Sequence, residues 1–327
     1  MKIIDVPVPG GPEALVIAER PVPVPKADEV LIRVFAAGLN RADILQRRGN
    51  YPPPAGAPSY PGLEVSGTIE SVGDGVTEFK RGDRVCALLQ GGGYAQFAVA
   101  PAAQVLRLPE NIDLLQGAAL AETCFTVWSN VFMFGGLRSG ETLLVHGGTS
   151  GIGVTAIQLA RIGGATVIAT AGSDDKCRFC EGIGASRAIN YRSEDFVAAS
   201  LAATQGRGVD VILDMVAGEY TARNIDALAA GGRLVIIATQ SGATSTINIL
   251  KIMQKRAVLT GSTLRPRPTA FKAQVKQALL EHVWPRLRSG ELRVIVDRTY
   301  PMQDANLAHQ RMESSEHIGK ILLTMDG

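Results

Sequence analysis

The sequence predicts an α/β protein, with a β-rich unit first and a doubly wound parallel sheet after it. Three observations carry that expectation. The first ~120 residues break into short β-type runs separated by turn formers. After about residue 125, apolar strand-like runs alternate with helix-period segments. Where the first such strand meets the first such helix stands Gly147-Gly148-Thr149-Ser150-Gly151-Ile152-Gly153. The length, 327 residues, suits two domains of ordinary size.

In chain order, Val30-Leu31-Ile32-Arg33-Val34 gives the first clear strand pattern and residues 65–72 the next, closed by Gly73-Asp74-Gly75. Pro21, Pro23 and Pro25 alternate with valines. Each lacks an amide donor and fixes φ, so this segment reads as an extended edge and not a helix. Pro52-Pro53-Pro54 opens an irregular loop reaching Gly62, and long ordered loops often carry function. Residues 142–146, 166–170, 188–190, 209–214, 233–237 and 258–260 read as six strands, with helices over 152–162 and 176–182 between the first three. The tail predicts a helix from Phe271 to about Arg288, a strand near Val294, another helix, and a last strand at Ile321-Leu322-Leu323.

Composition narrows the function. Hydrophobic residues make up 46% and charged residues 20%, enough apolar content for a packed interior. Lys+Arg at 33 against Asp+Glu at 31 leaves a net charge of +2, which offers no basic field to nucleic acid and no acidic tail. Four cysteines in so long a chain suit a reducing compartment. Met1-Lys2-Ile3-Ile4-Asp5 lacks the apolar core of a signal peptide, so a cytoplasmic location is expected. The longest uncharged run, 85–106, contains Gly91-Gly92-Gly93 and Pro101 and is not expected to cross a membrane.

The glycine turn is the strongest motif. Glycines there let the backbone turn tightly and approach a pyrophosphate, while the helix behind them offers free N–H donors and the positive end of its dipole. The second strand decides which dinucleotide fits, because an NAD site has an acid at its tip for the adenosine ribose. Here the strand ends at Thr170 and runs into Ala171-Gly172-Ser173, with Asp174 and Asp175 beyond. Ser173 suits an N-cap, and acids in a first helical turn complement the dipole, which gives both aspartates a structural reason. Ser173 and Lys176 are then available to a 2′-phosphate as hydroxyl donor and cation, which favours NADPH. The glycine spacing also fits short-chain dehydrogenases. Those need Tyr-x-x-x-Lys downstream, and no tyrosine here is followed by lysine at that distance.

Metal and nucleophile chemistry find little support. Cys177 and Cys180 form a lone Cys-x-x-Cys with no second pair to complete a tetrahedral site, and they read as buried helix cysteines, with a redox role as the alternative. Cys86 and Cys124 lie in apolar context. None of His146, His282, His309 and His317 has metal-ligand spacing, and no Gly-x-Ser-x-Gly elbow is present.

Three motifs run together along the chain: Gly38-Leu39-Asn40-Arg41-Ala42-Asp43, Gly62-Leu63-Glu64-Val65-Ser66-Gly67, and Gly140-Glu141-Thr142-Leu143-Leu144-Val145-His146 leading into the glycine turn, continued by Gln158 and Arg161. With them the chain resembles, over essentially its whole length, the medium-chain dehydrogenase/reductase superfamily, and within it the zinc-free quinone oxidoreductases related to zeta-crystallin. The stretch from Asn40 to Gly56 is most similar to the branch that reduces quinones with NADPH. This resemblance implies a GroES-like catalytic domain over residues 1–123 and 265–327 and a Rossmann dinucleotide-binding domain over 124–264. Zinc alcohol dehydrogenases of the superfamily carry a catalytic Cys, a Gly-His-Glu motif and a four-cysteine lobe. Here Asn40 stands near the first position, Leu63 replaces the histidine, and the lobe is missing. Reduction of an already activated acceptor is the chemistry this leaves.

The resemblance also implies roles. Ser173, Lys176 and Tyr191 hold the adenosine phosphate, and Ser150, Gly151, Ile152 and Gly153 face the pyrophosphate. Asn40 and Thr126 lie near the nicotinamide, while Ile237, Ala238, Thr239 and Leu264 line the cofactor groove. Lys320 reaches the cofactor or is merely solvated. Tyr51, on the proline loop, hydrogen-bonds a quinone oxygen or donates a proton, or else packs the loop. The expected activity is NADPH-dependent quinone reduction by hydride transfer without a metal. A 2-enone or enoyl-thioester reductase is the enzymatic alternative, and a crystallin-like NADPH-binding protein the other. Strand 258–261, apolar and at a sheet edge, is expected to pair with its twin in a homodimer.

Overall fold

The computed structural model describes residues 1–325. The chain forms two compact units: residues 1–125 with the segment from Arg265 onward, and Thr126–Leu264. In chain order the first part holds β1 (Lys2–Asp5), β2 (Val16–Glu19), β3 (Glu29–Gly38), α1 (Arg41–Arg47), β4 (Glu64–Val72), β5 (Arg84–Leu88), β6 (Phe97–Pro101), β7 (Val105–Arg107), α2 (Leu114–Gly117) and α3 (Ala121–Val127). The middle holds β8 (Thr142–Val145), α4 (Gly151–Ile162), β9 (Thr166–Ala171), α5 (Asp174–Gly182), β10 (Arg187–Asn190), α6 (Phe196–Ala203), β11 (Val209–Asp214), α7 (Glu219–Ala227), β12 (Leu228–Ile236), α8 (Ile249–Lys255) and β13 (Val258–Gly261). The tail adds α9 (Thr269–Ala278), α10 (Trp284–Arg288), β14 (Val296–Pro301), α11 (Ala305–Glu313) and β15 (Lys320–Thr324).

The first unit is built on a seven-stranded sheet ordered β14-β15-β3-β4-β5-β7, with β6 also on β3. Strand β3 organises it. Its first half pairs with β6 and its last residues with β15, while β4 follows its other edge through two register shifts. Alternating inward residues such as Ile32, Val34, Val65, Ile69, Val85, Ile321 and Leu323 form the core. The tail strand thus returns to the front of the chain, which brings Lys320 beside the end of β3.

The second unit is a six-stranded parallel sheet ordered β10-β9-β8-β11-β12-β13. This is the doubly wound order, with the chain reversing direction across the sheet between β8 and β11. Strand β8 is buried along its whole length, as a strand covered by helices on both faces must be. Apolar residues Leu144, Ile168, Ile189, Val209, Ile212 and Leu234 fill its interior.

Several local expectations differ. The Pro21–Pro25 segment makes no ladder pairs, since alternate residues lack a donor. The expected tail helix is present without a break over 269–288, but it is not regular: a π-helical turn, Leu279–Val283, joins α9 to α10 just before Pro285, which cannot supply the next amide. The strand expected near Val294 lies at Val296–Pro301. The uncharged run 85–106 forms β5, β6 and β7, and among the described residues no helix is long and apolar enough to cross a membrane.

Candidate active site

In the second unit the parallel sheet turns all its strand ends to one edge. Strand β8 runs into Gly147, whose φ of +68° an L side chain adopts only with strain. Ser150 caps α4, its hydroxyl accepting from the Gly153 amide at 2.9 Å. The Gly151 and Ile152 amides lie in the first turn, without intrahelical acceptors and at the positive end of the dipole. Gly153 is buried against the turn itself: a Cβ there would meet Gly147 O at 2.3 Å and Gly148 Cα at 2.7 Å. The residues therefore fit a pyrophosphate, which needs this close backbone approach.

Beneath the turn lies a buried polar chain. The His146 ring contacts Thr170 Oγ1 at 3.1 Å and Asn224 Oδ1 at 2.7 Å, and Asn224 donates to Asp214 at 2.9 Å. Since Asn224 Oδ1 can only accept, His146 Nε2 carries the proton and Nδ1 accepts from the threonine. Burial holds the imidazole below its ordinary pKa, so it is neutral, and its role is structural.

At the end of β9, Ser173 caps α5 by accepting from the Lys176 amide at 3.3 Å. The Tyr191 hydroxyl lies over Gly172, 2.7 Å from where a Cβ would sit. The Lys176 amide thus lies on Ser173, and the Tyr191 hydroxyl lies beside the preceding Gly172. Both acids nearby are engaged: Asp174 accepts from the Asn190 side chain at 2.7 Å, and Asp175 pairs with Arg178. Ile237, Ala238 and Thr239 follow the end of β12, on the same edge. Thr126 is buried in α3, its carbonyl accepting from Asn130 at 2.8 Å, and half-buried Leu264 follows β13.

The first unit gathers a second set of groups. Lys320 Nζ donates to Leu39 O and Asn40 Oδ1, each at 2.7 Å, and forms an ion pair with Glu64 Oε1 at 2.6 Å. These three oxygens surround the ammonium, which is buried with its residue at 4% exposure, so Lys320 fixes its neighbours instead of reaching outward. Asn40 Nδ2 donates to Gly38 O at 3.2 Å and Glu64 Oε1 at 3.1 Å. Glu64 Oε2 accepts from the Glu122 amide at 2.9 Å. Buried Asp43 accepts from the Asn40 and Gly62 amides, at 2.8 and 2.9 Å, and burial still pushes it up to about 6. Tyr51 is half-buried under the Arg265 guanidinium, 5.3 Å from its ring centroid.

Glu64, Glu122, Arg265 and Lys272 were not anticipated as site residues. The signal was present for Glu122, a charge inside the apolar run 118–127, and for Glu64 within a quoted motif.

Two family models match: the alcohol dehydrogenase GroES-like domain over residues 26–110 and the zinc-binding dehydrogenase over residues 183–323. The quinone oxidoreductase of Rattus norvegicus is 34% identical over 322 residues, covering 97% of this chain and 95% of that protein. That of Homo sapiens is 32% identical over 319 residues, with the same coverage. The chain belongs to the quinone oxidoreductase branch of the medium-chain dehydrogenase/reductase superfamily. The Escherichia coli quinone oxidoreductase, solved as a complex with NADPH, matches with a TM-score of 0.88 at 30% identity, covering 99% of this chain and all of that one. The CurK enoyl reductase matches with a TM-score of 0.86 at 26% identity, over 99% of this chain and 98% of the other. As a medium-chain reductase the chain is an oxidoreductase that binds a nicotinamide dinucleotide. One matching family model carries zinc in its description, but among the described residues no group of three His, Cys, Asp or Glu side chains could hold a metal ion.

Proposed function

We propose that the protein is a cytoplasmic NADPH-dependent reductase of quinones, working without a metal. The observation that carries the cofactor choice is the end of β9, where Ser173, Lys176 and Tyr191 stand while both nearby acids are bonded elsewhere. A 2′-phosphate would find a hydroxyl, a cation and a phenol there, with the Asp174 and Asp175 carboxylates engaged by Asn190 and Arg178. Similarity to quinone oxidoreductases supports the acceptor. NADPH bound along this edge would supply a hydride to the acceptor. Gly151, Ile152 and Gly153 hold the pyrophosphate, Asn40 and Thr126 serve the nicotinamide, Ile237, Ala238, Thr239 and Leu264 border the dinucleotide, and Tyr51 faces the acceptor. Four free, buried thiols suit the reducing cytoplasm.

The reading is tested by a panel of quinones and 2-enones assayed with NADPH and with NADH. Quinones are expected to turn over, with NADPH preferred. Lys176→Ala should raise the NADPH KM roughly 10-fold to 100-fold and leave NADH nearly unchanged, since one charge-assisted contact contributes about 1.5–3 kcal/mol. Equal use of both cofactors by the wild type would sink the phosphate assignment. Enone or enoyl-thioester reduction is the second reading, favoured by the likeness to an enoyl reductase.

We also propose a homodimer through β13. That strand ends the sheet, and Val258 is 53% exposed, with Ile249, Leu250 and Met253 exposed on the preceding helix. An apolar edge of this kind is covered by symmetric pairing. Light scattering should give twice the monomer mass at micromolar concentration, and Val258→Lys should return a monomer. A monomeric wild type would end this proposal.

A further inference from the structure

Glu122 stands in the first turn of α3, its amide tied to Glu64, yet its own carboxyl takes no hydrogen bond among the described residues. The charges that act on it are Glu64 and Asp43 on one side and Lys320 and Lys272 on the other, with Tyr51 and Arg265 near enough to feel its own. Neither lysine bonds it. Lys320 is spent on Leu39, Asn40 and Glu64, and Lys272 donates to Arg265 O at 3.0 Å. Two more groups of this cluster have unspent capacity. The Tyr51 hydroxyl makes no hydrogen bond among the described residues, and Arg265 Nη2 is buried without a partner although its residue is only 5% exposed. The part-exposed Glu122 carboxyl and Tyr51 hydroxyl, both without an internal partner, suit a polar guest atom, and the Arg265 guanidinium over the phenol supplies positive charge.

Resting on the reductase reading above, we propose that Glu122 is the proton donor to the reduced acceptor, with the Tyr51 hydroxyl, under the Arg265 guanidinium, holding the acceptor oxygen. Hydride addition to an enone, its electron pair coming from the reduced nicotinamide, leaves an enolate. The Glu122 O–H bond then breaks, a new C–H bond forms at the α-carbon, and the resulting carboxylate regains its proton from water. Quinone reduction leaves a more stabilised anion and needs this proton less.

Burial and the Glu64 charge push the Glu122 carboxyl up to about 8, against the helix dipole and both lysines, so it is protonated at neutral pH. Lys272 is pushed down by burial to about 8 as well, so an activity profile alone would not separate the two. The folded state binds a proton on Glu122 that the unfolded chain releases near 4.5. Wild-type stability should therefore fall between about pH 4.5 and 8 and level off above, whereas Glu122→Gln, isosteric with the neutral acid, lacks that fall.

The experiment compares wild type, Glu122→Gln, Glu122→Asp and Tyr51→Phe. Thermal midpoints are measured from pH 5 to 9 without cofactor, and turnover of an enone and a quinone with NADPH. Expected are a Glu122→Gln midpoint that gains on wild type up to about pH 8, enone turnover lowered at least roughly 10-fold, and a smaller loss on quinone. Glu122→Asp should recover part of the enone rate. Wild-type enone turnover should decline as pH rises through about 8. A pH-independent midpoint offset, or full enone turnover in Glu122→Gln with loss in Tyr51→Phe, would overturn the assignment. If wild type reduces no acceptor, the reductase reading falls, and the proposal with it, whatever the midpoints show.

Discussion

Gly153→Ala is expected to loosen the dinucleotide roughly 10-fold to 100-fold, measured by calorimetry or by quenching of protein fluorescence. The new methyl would meet the Gly147 carbonyl oxygen at 2.3 Å and the carbon and Cα of Gly148 at 2.7 Å. These are backbone atoms, so no rotamer change relieves the clash. The turn must open, or the start of α4 must move. Either shift displaces the Gly151 and Ile152 amides that are to meet the pyrophosphate and weakens the Ser150 cap on the Gly153 amide. Overpacking of this kind costs about 1–3 kcal/mol, and about 1.4 kcal/mol is tenfold in affinity. Gly182→Ala is the control. Nothing lies within 4 Å of a Cβ at that position, and it closes α5 away from the turn. It should be neutral or slightly stabilising, as removing a helical glycine usually is. Equal cofactor affinity in wild type and Gly153→Ala would show that the turn does not bind the pyrophosphate.

The parallel sheet was legible because each of its strands is a short apolar run between punctuation marks. Residues 142–146 and 209–214 are buried on both faces, so periodicity hardly matters and length with flanking glycines decides. The tail was harder to read. Pro285 sits inside a sequence of good helical period, and the widened turn before it follows from a missing amide that periodicity does not register. The proline-valine segment failed for a related reason: extended geometry is dictated locally, but pairing needs donors that proline lacks.

The site divided in the same way. The glycine turn and Ser173 were legible because both act through local backbone geometry, a tight turn and an N-cap, and each leaves a fixed residue type at a fixed spacing. The cluster around Asn40 was not legible. Lys320 and Glu64 lie far apart in sequence, at the starts of β15 and β4, and only the return of the tail strand to β3 brings them together. Lys320 was expected either at the cofactor or in water. Its position at 4% exposure, with three acceptors around one ammonium, follows from that strand pairing.

Lys320→Met should accordingly destabilise the fold by about 3–5 kcal/mol, the usual cost of removing one partner of a buried ion pair. Methionine keeps most of the stem, so packing is largely retained and the loss is electrostatic. Glu64, fully buried, would keep two donors, Asn40 Nδ2 and the Glu122 amide, but no countercharge. The Leu39 carbonyl and Asn40 Oδ1 would each lose a donor, and Asn40, between β3 and α1, would be held only by its bonds to Gly38 and Glu64. Urea melts of wild type and variant, at unchanged slope, measure the difference. The double variant Lys320→Met with Glu64→Gln should recover part of the loss, because the uncompensated charge is gone while the amide still accepts from the Glu122 N–H. If the single variant is as stable as wild type, the pair is not buried as described. If the double variant is no better than the single, the cost lies in the lost hydrogen bonds to Leu39 and Asn40 and not in the charge on Glu64.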